Sequence, residues 1–260
     1  MVLRIFISYA CWFLLVNTLL ARAAGNTSRQ AATMQLPPAS SLQLAITHVV
    51  GAQPLVRNQV TYTNPSGEYF TITRFRYFLS NFSLENVQGY TVTLPAAYFL
   101  VDDAIDTSKV IHLFGLPAGQ YKSIRFLIGV DSVRNVSGAQ PGALAVESGM
   151  FWTWNSGYIM AQLEGHSFAI TSPTQEFLFH IGGYRQVNGV LKYVTLPFSQ
   201  PVTVAPEKEP RIQLVADVSK WFLPDTVSFK QIAVIMAPGA NARKVAGNYQ
   251  HMFTISKSYN

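Results

Sequence analysis

The sequence contains little cysteine and little charge. Its 260 residues include one cysteine, Cys11, and only 12% are Asp, Glu, Lys or Arg, about half of the share that globular proteins usually carry. Because Cys11 lies in an N-terminal apolar segment, the rest of the chain has no thiol for a disulfide or a metal-binding thiolate. Any metal site must therefore use histidine, methionine or carboxylate ligands. The 49% hydrophobic and 13% aromatic fractions argue against disorder and predict a large buried core.

Sequence signatures of nucleic-acid binding and of enzymes are also missing. The net charge of +6 reflects scarce acidic residues, since the 19 Lys and Arg residues are dispersed and form no basic cluster. No phosphate-binding glycine loop, His-Glu-x-x-His motif or Gly-x-Ser-x-Gly elbow occurs. The adjacent carboxylates Asp102 and Asp103 would point to opposite faces of a strand, so they do not form an acid and base pair. We predict no nucleic-acid partner and no enzymatic activity.

The N-terminus has the pattern of a secretory signal peptide. Arg4 precedes a mostly apolar run over residues 5–20, and an Ala-Arg-Ala tripeptide at residues 21–23 provides the small residues that a signal peptidase requires. The run is shorter than the roughly 18 to 20 residues that a membrane-spanning helix prefers, and no second run of that length follows. We therefore predict an exported chain that is cleaved near Ala23 and has no stable membrane span.

Short β-rich segments separated by turn residues occupy most of the remaining sequence. Residues 24–40 are small and polar, which predicts a flexible leader before one domain at residues 41–260. Alternating apolar residues, as at 42–46, indicate strands with one buried face. The pattern predicts an all-β fold, a two-sheet antiparallel β-sandwich with short helical turns at 218–222 and 239–249; a closed barrel is the alternative. The predicted strands are 42–50, 71–84, 90–101, 110–113, 121–130, 157–163, 176–181, 192–198, 211–215 and 231–236.

One segment is rich in oxidisable side chains. If residues 149–158 are extended, Met150, Trp152 and Trp154 project from the same face of the strand. Such a row most often belongs to a core, because Trp buries a large apolar area and Met fills gaps beside it. The alternative interpretation is a soft-metal or redox site, since Met suits Cu(I) and indole is readily oxidised.

The five histidines form no local pair at metal-ligand spacing, so a metal site would have to combine separate strands. His48 and His180 each lie near the end of a predicted strand, where the loops of a sandwich gather. Taken alone, each is typical of a hydrogen-bonded structural histidine. His112 has the surroundings of an ordinary strand residue.

Several segments together closely resemble the MbnP-like domain family. The most specific are the Trp-x-Trp motif of Trp152 and Trp154 and the motif Asp131-Ser132-Val133-Arg134-Asn135. The resemblance extends over nearly all of the chain after the signal peptide. The segments that carry it are 47–51, 75–81, 129–144, 149–158, 163–165, 179–183 and 236–242.

The resemblance implies a bacterial periplasmic copper-binding β-sandwich whose partner is a di-haem protein similar to cytochrome c peroxidases. In that family the partner oxidises a tryptophan to kynurenine, and Cu(I) binding depends on the product. Carried over by motif, the modified residue is Trp152 or Trp154, with a slight preference for Trp154. His48 and His180 are the implied imidazole ligands.

The chain departs from the family pattern at its end, where residues 256–260 contain no His-x-His pair. A reduced capacity for copper is one consequence to test. The alternative function is a copper-free β-sandwich module that uses aromatic residues such as Trp152 and Tyr184 to hold a ligand or a partner protein.

Overall fold

A computed structural model describes residues 40–260, apart from 139, 154, 155 and 186–188. The predicted signal peptide and residues 24–39 of the predicted leader therefore lie outside the described residues. Two α-helices, α1 (Ser132–Asn135) and α2 (Ala240–Tyr249), accompany the strands. The strands are β1 (Ser40–Val50), β2 (Gln53–Pro54), β3 (Tyr62–Thr63), β4 (Tyr69–Asn86), β5 (Thr91–Thr93), β6 (Tyr98–Asp102), β7 (Val110–Leu116), β8 (Gly119–Ile128), β9 (Phe151–Thr153), β10 (Gly157–Ser167), β11 (Glu176–Gly182), β12 (Lys192–Val204), β13 (Arg211–Asp217), β14 (Val234–Ile235) and β15 (Phe253–Tyr259). Short 3-10 helices lie at Asp106–Lys109, Gly142–Leu144, Val146–Ser148 and Val218–Phe222.

The smaller of the two sheets is built around β1. Its order is β15, β13, β1 and β2, and β7 also pairs with β1. Leu42, Leu44, Ile46 and His48 are buried, so this alternating face of β1 points into the core. β1 therefore carries His48 inward, opposite Ala216 of β13.

The larger sheet is built around the 18-residue strand β4. Its order is β12, β8, β4, β10, β11 and β14; β3, β5 and β6 also pair with β4, and β9 pairs with β10. Phe75 and Tyr77 of β4, Leu163 of β10 and Phe179 of β11 have no exposed surface. Since side chains alternate along a strand, the intervening residues of these three strands lie on the outer face of this sheet.

The predicted all-β sandwich is confirmed, but its strands are not all antiparallel. β1 pairs in parallel with β13, and β11 pairs in parallel with β14. The parallel pair joins segments from opposite ends of the domain, and hydrophobic alternation does not depend on the direction of a strand's neighbour. The predicted helical segments are confirmed as α2 and the 3-10 helix Val218–Phe222.

Two predicted strands are shorter than expected. The segment 90–101 is interrupted between β5 and β6 at Pro95, which has no N–H to donate to a sheet. The segment 231–236 keeps only the two residues of β14. Within the described ranges, no helix is both long enough and apolar enough to cross a membrane.

Candidate functional site

A row of polar residues crosses three strands of the larger sheet. His180 of β11 lies directly opposite Gln162 of β10, which in turn lies opposite Arg76 of β4. Residues that are directly opposite in a sheet share a face, and this row lies between inward-facing apolar residues. The three side chains therefore occupy the outer face of the larger sheet.

His180 is held by one ring nitrogen. Its Nε2 lies 2.7 Å from Oε1 of Glu164 and 2.8 Å from the side-chain nitrogen of Gln162. The side chains of His180 and Glu164 are only 12% and 13% exposed, so the pair is largely shielded from water. The hydrogen bond with His180 lowers the pKa of Glu164 against the opposing effect of burial, and the nearby positive charge of Arg74 lowers this pKa further.

Arg76 fixes the orientation of the Gln162 amide. Its Nε donates to Oε1 of Gln162 over 2.8 Å, and its Nη2 donates to the same oxygen. Its Nη1 donates over 2.9 Å to the carbonyl oxygen of Ser148, which precedes β9. Arg76 therefore connects the polar row to the segment that carries Trp152.

Trp152 lies against β11 beside His180. A methyl group at Gly182 would stand 2.5 Å from Cζ3 and 2.9 Å from Cη2 of the Trp152 ring, so this approach requires a residue without Cβ. Gly182 is two residues from His180 on the same face of β11, which separates their Cα atoms by about 6.6 Å. The indole thus lies on β11 two residues along the strand from His180.

The indole nitrogen of Trp152 is buried without a hydrogen-bond partner among the described residues. Most buried polar groups in proteins are hydrogen-bonded, and an unmet donor costs about 1 to 3 kcal/mol. The unpartnered nitrogen of Trp152, a residue of the Trp-x-Trp motif, is therefore unusual for a buried polar atom.

The Asp-Ser-x-Arg-Asn motif anchors the loop beside this site. Asp131 caps α1 by accepting from the backbone N–H of Arg134, and it also accepts from the hydroxyl of Tyr98. Burial, reinforced by Asp131, raises the pKa of Tyr98 to about 12. Buried Asn135 donates to the carbonyl oxygens of Val130 and Asp131 and accepts from the backbone N–H of Tyr158. The motif therefore fixes the start of β10 rather than presenting a free reactive group.

His48 lies in a different environment, between the two sheets. Its Nδ1 lies 2.7 Å from Oδ1 of Asp103, and its Nε2 lies 3.0 Å from the hydroxyl oxygen of Tyr77. The edge of its ring meets Phe75, with the ring centroids 4.9 Å apart. Burial would raise the pKa of Asp103, but the hydrogen bond and charge of His48, the charge of Lys109 and the hydrogen bond from Arg57 lower it overall. Both nitrogens of His48 are thus engaged in the core.

We compared the sequence with protein-family models and the structure with solved structures. The family model described as MbnP matches residues 39–237. The chain belongs to the MbnP family. A solved structure, MbnP from Methylosinus trichosporium, is similar over 78% of this chain and 83% of its own, with 14% sequence identity and a TM-score of 0.53. That likeness supports the shared fold. A comparison with curated proteins finds no match.

The MbnP match includes both histidines that the sequence analysis singled out, but the structure does not bring them together. Tyr77, which contacts His48, follows Arg76 in β4 and points to the opposite face of the sheet. His48 and His180 are therefore separated by the larger sheet. Across the described part of the chain, no group of three or more His, Cys, Asp or Glu side chains is arranged to hold a metal ion.

Of the two tryptophans of the Trp-x-Trp motif, the structure describes only Trp152, which lies against Gly182 on β11. Trp154 lies outside the described residues. Met150 is fully buried in the core, in agreement with its interpretation as a gap-filling residue.

The sequence did not mark Glu164 and Gln162, which contact His180, or Arg76, which orients Gln162, as site residues. Each is an ordinary polar strand residue, and only the strand register shows that they meet. Arg76, Glu164 and His180 do lie in three of the segments that carry the family resemblance, 75–81, 163–165 and 179–183, and that was the signal that pointed to this part of the sheet.

Proposed function

We propose that this MbnP-family protein binds copper as Cu(I) after one tryptophan is oxidised to kynurenine, and that it acquires, stores or transfers that copper. In this proposal the chain is exported to the periplasm, where a di-haem protein similar to cytochrome c peroxidases carries out the oxidation. It acts as a binding protein and not as an enzyme. Copper is its cargo.

The observation that supports the proposal best is the position of the Trp152 indole beside His180. Gly182 allows the ring to lie directly on the sheet, and the indole nitrogen has no hydrogen-bond partner among the described residues. The core residue Trp221 also has a buried indole nitrogen without a partner among the described residues, so the missing partner alone does not distinguish Trp152. What distinguishes Trp152 is its place on β11, two residues along the strand from His180.

Oxidation to kynurenine changes which atoms can bind a metal. Cleavage of the Cγ–Cδ1 bond is a four-electron oxidation that places a ketone oxygen on Cγ and leaves Cδ1 as a formyl group on Nε1. Two molecules of peroxide, reduced to water through the di-haem partner, accept the four electrons. Hydrolysis then releases the formyl group as formate, and Nε1 becomes an aromatic amine. Indole is a poor ligand, whereas the amine and ketone can coordinate a metal. For Trp152, the new amine would occupy the position of the unpartnered nitrogen.

His180 is the histidine that we propose as a copper ligand. Imidazole binds copper well, and Glu164 supplies the carboxylate partner that metal-bound histidines commonly have. His48 would have to give up its hydrogen bond to Asp103 or to Tyr77 before it could bind a metal. We therefore propose that His48 stabilises the fold and that His180 is the copper ligand.

Copper uptake by protein made with and without the partner tests this function. The chain is produced once together with a di-haem protein similar to cytochrome c peroxidases and once alone, and both preparations are titrated with Cu(I) against a chromogenic chelator. The proposal predicts one tightly bound ion per chain only in the co-produced protein. Equal uptake by both preparations, or none by either, would contradict it.

A further inference from the structure

The hydrogen bonds around His180 determine which of its two nitrogens can bind a ligand. We infer that Glu164 is a positioning residue that holds His180 as the tautomer with hydrogen on Nε2, so that Nδ1 presents the lone pair. The inference about the tautomer concerns the metal-free protein, and its consequence for copper rests on the proposed function.

The first step is the orientation of Gln162. Because Arg76 donates to the side-chain oxygen of Gln162 through Nε and Nη2, the amide nitrogen must face Glu164 and His180. An amide nitrogen is only a donor. Its hydrogens are therefore directed toward the carboxylate, which they reach at Oε1 of Glu164.

The second step concerns the charge of Glu164. Arg74 donates to its Oε2 over 3.1 Å, while the Gln162 amide donates to Oε1. Both oxygens are thus approached by donors, which favours the ionised carboxylate. A lone pair on Nε2 of His180 would then face a carboxylate lone pair across only 2.7 Å. A hydrogen on Nε2 replaces that repulsion with a charge-assisted hydrogen bond. This gain outweighs the crowding of that hydrogen against the Gln162 amide nitrogen 2.8 Å away, because the amide already donates to Oε1 of Glu164 and is a neutral, weaker donor.

The third step is the state of the other ring nitrogen. No hydrogen bond joins Nδ1 of His180 to any described residue, whereas Nε2 has two close neighbours. In a neutral imidazole, a hydrogen on Nε2 leaves Nδ1 as the acceptor. The fixed tautomer therefore directs its lone pair away from Glu164 and Gln162, and His180 would coordinate through Nδ1.

Nitrogen NMR of the metal-free protein tests the tautomer directly. Long-range ¹H–¹⁵N spectra at alkaline pH, where imidazoles are neutral, distinguish a hydrogen-bearing nitrogen from a bare one. The signals are assigned by their loss in His180→Gln. We expect a protonated Nε2 and a bare Nδ1 in the wild type; a hydrogen on Nδ1 would overturn the inference.

Glu164→Ala should release this preference, producing a mixture of tautomers at His180. The matched control is Glu176→Ala, which removes a carboxylate near His166 on the same pair of strands but at an exposed position. That control should leave the His180 signals unchanged. Should Glu164→Ala not fold, Glu164→Gln retains the volume and removes the charge.

Cu(I) affinity separates this inference from the proposed function. In protein co-produced with the di-haem partner, Glu164→Ala should weaken Cu(I) binding by about 10- to 100-fold, the usual effect of losing a carboxylate that orients a metal-bound histidine. Full affinity in Glu164→Ala, combined with loss of binding in His180→Ala, would refute the role of Glu164 alone. Full affinity in His180→Ala would instead refute the ligand assignment in the proposed function, while the tautomer result in metal-free protein would stand.

Discussion

The ring of Trp152 lies directly against Gly182, two residues along β11 from His180. This contact connects a Trp-x-Trp residue to a histidine that is far away in sequence. It exists because a glycine interrupts the outer face of the strand and leaves room for the indole.

Gly182→Ala should displace Trp152. The added methyl group would stand 2.5 Å from Cζ3 of the ring and 2.9 Å from the carbonyl oxygen of Tyr158, and this backbone atom cannot move freely. We expect less kynurenine and at least tenfold weaker Cu(I) binding, measured by peptide mass spectrometry and chelator competition. Gly247→Ala is the control, since no atom lies within 4 Å of its added methyl group. Normal modification in Gly182→Ala would show that the contact is unnecessary.

The two histidines should give opposite phenotypes when each is replaced by alanine. His180→Ala should abolish Cu(I) binding and lower the free energy of unfolding by only about 1 kcal/mol, because Glu164 loses one hydrogen bond but keeps those from Arg74 and Gln162. His48→Ala should retain copper in the folded protein but lower the free energy of unfolding by on the order of 2 to 3 kcal/mol, since it removes a core side chain that hydrogen-bonds Asp103 and Tyr77.

Chelator competition and urea unfolding measure these two properties separately. His112→Ala, on the exposed edge of β7, is the control for loss of an imidazole with a carboxylate partner. Loss of copper binding in correctly folded His48→Ala would restore His48 as a ligand and contradict the division of roles.

Asn135 should be essential for the loop beside the site. Its side chain makes three hydrogen bonds to backbone groups and is only 2% exposed. Asn135→Ala leaves those backbone groups unpaired, so we expect it to destabilise the domain by about 3 kcal/mol in urea unfolding. Asn241→Ala, at an exposed position of α2, should be nearly neutral. A similar small effect for both variants would show that water replaces the Asn135 contacts.

The sequence predicted the strands well because burial alternates along them. Residues 42–46 form part of β1 with the expected inward face. The parallel pairing of β1 with β13 was not predictable, since it depends on register between segments that are far apart in the chain. The same limit applied to the site, because a position near the end of a strand does not specify which face of the sheet a side chain occupies. In the structure, His48 contacts Tyr77 on the inner face of β4, whereas His180 lies in the row that includes Arg76 on the outer face.

Glu68 should make the stability of the domain sensitive to acid. Burial alone would raise its pKa, but hydrogen bonds from Ser228, Asn64 and the backbone N–H groups of Phe229 and Lys230 lower it overall. A carboxylate whose pKa is lower in the folded state contributes stability above its unfolded value, about 4.3, and loses that contribution as pH falls toward the folded pKa.

Glu68→Gln should therefore reduce the free energy of unfolding at neutral pH by on the order of 2 kcal/mol and flatten its decline below about pH 4.3. Urea unfolding across the acid range measures both effects. Glu176→Gln, whose side chain is 47% exposed, is the control and should follow the wild-type curve. A wild-type pH profile in Glu68→Gln would remove Glu68 as the source of acid sensitivity.

Mass spectrometry of the peptide that contains Trp152 and Trp154, from protein purified from its native host, determines whether a tryptophan is converted to kynurenine. We expect one tryptophan to have lost one carbon and gained one oxygen, the change from tryptophan to kynurenine, and fragment ions will assign it to Trp152 or Trp154. The same peptide from protein made without the di-haem partner should be unmodified. Two unmodified tryptophans in the native protein would rule out kynurenine as part of a copper site in this protein.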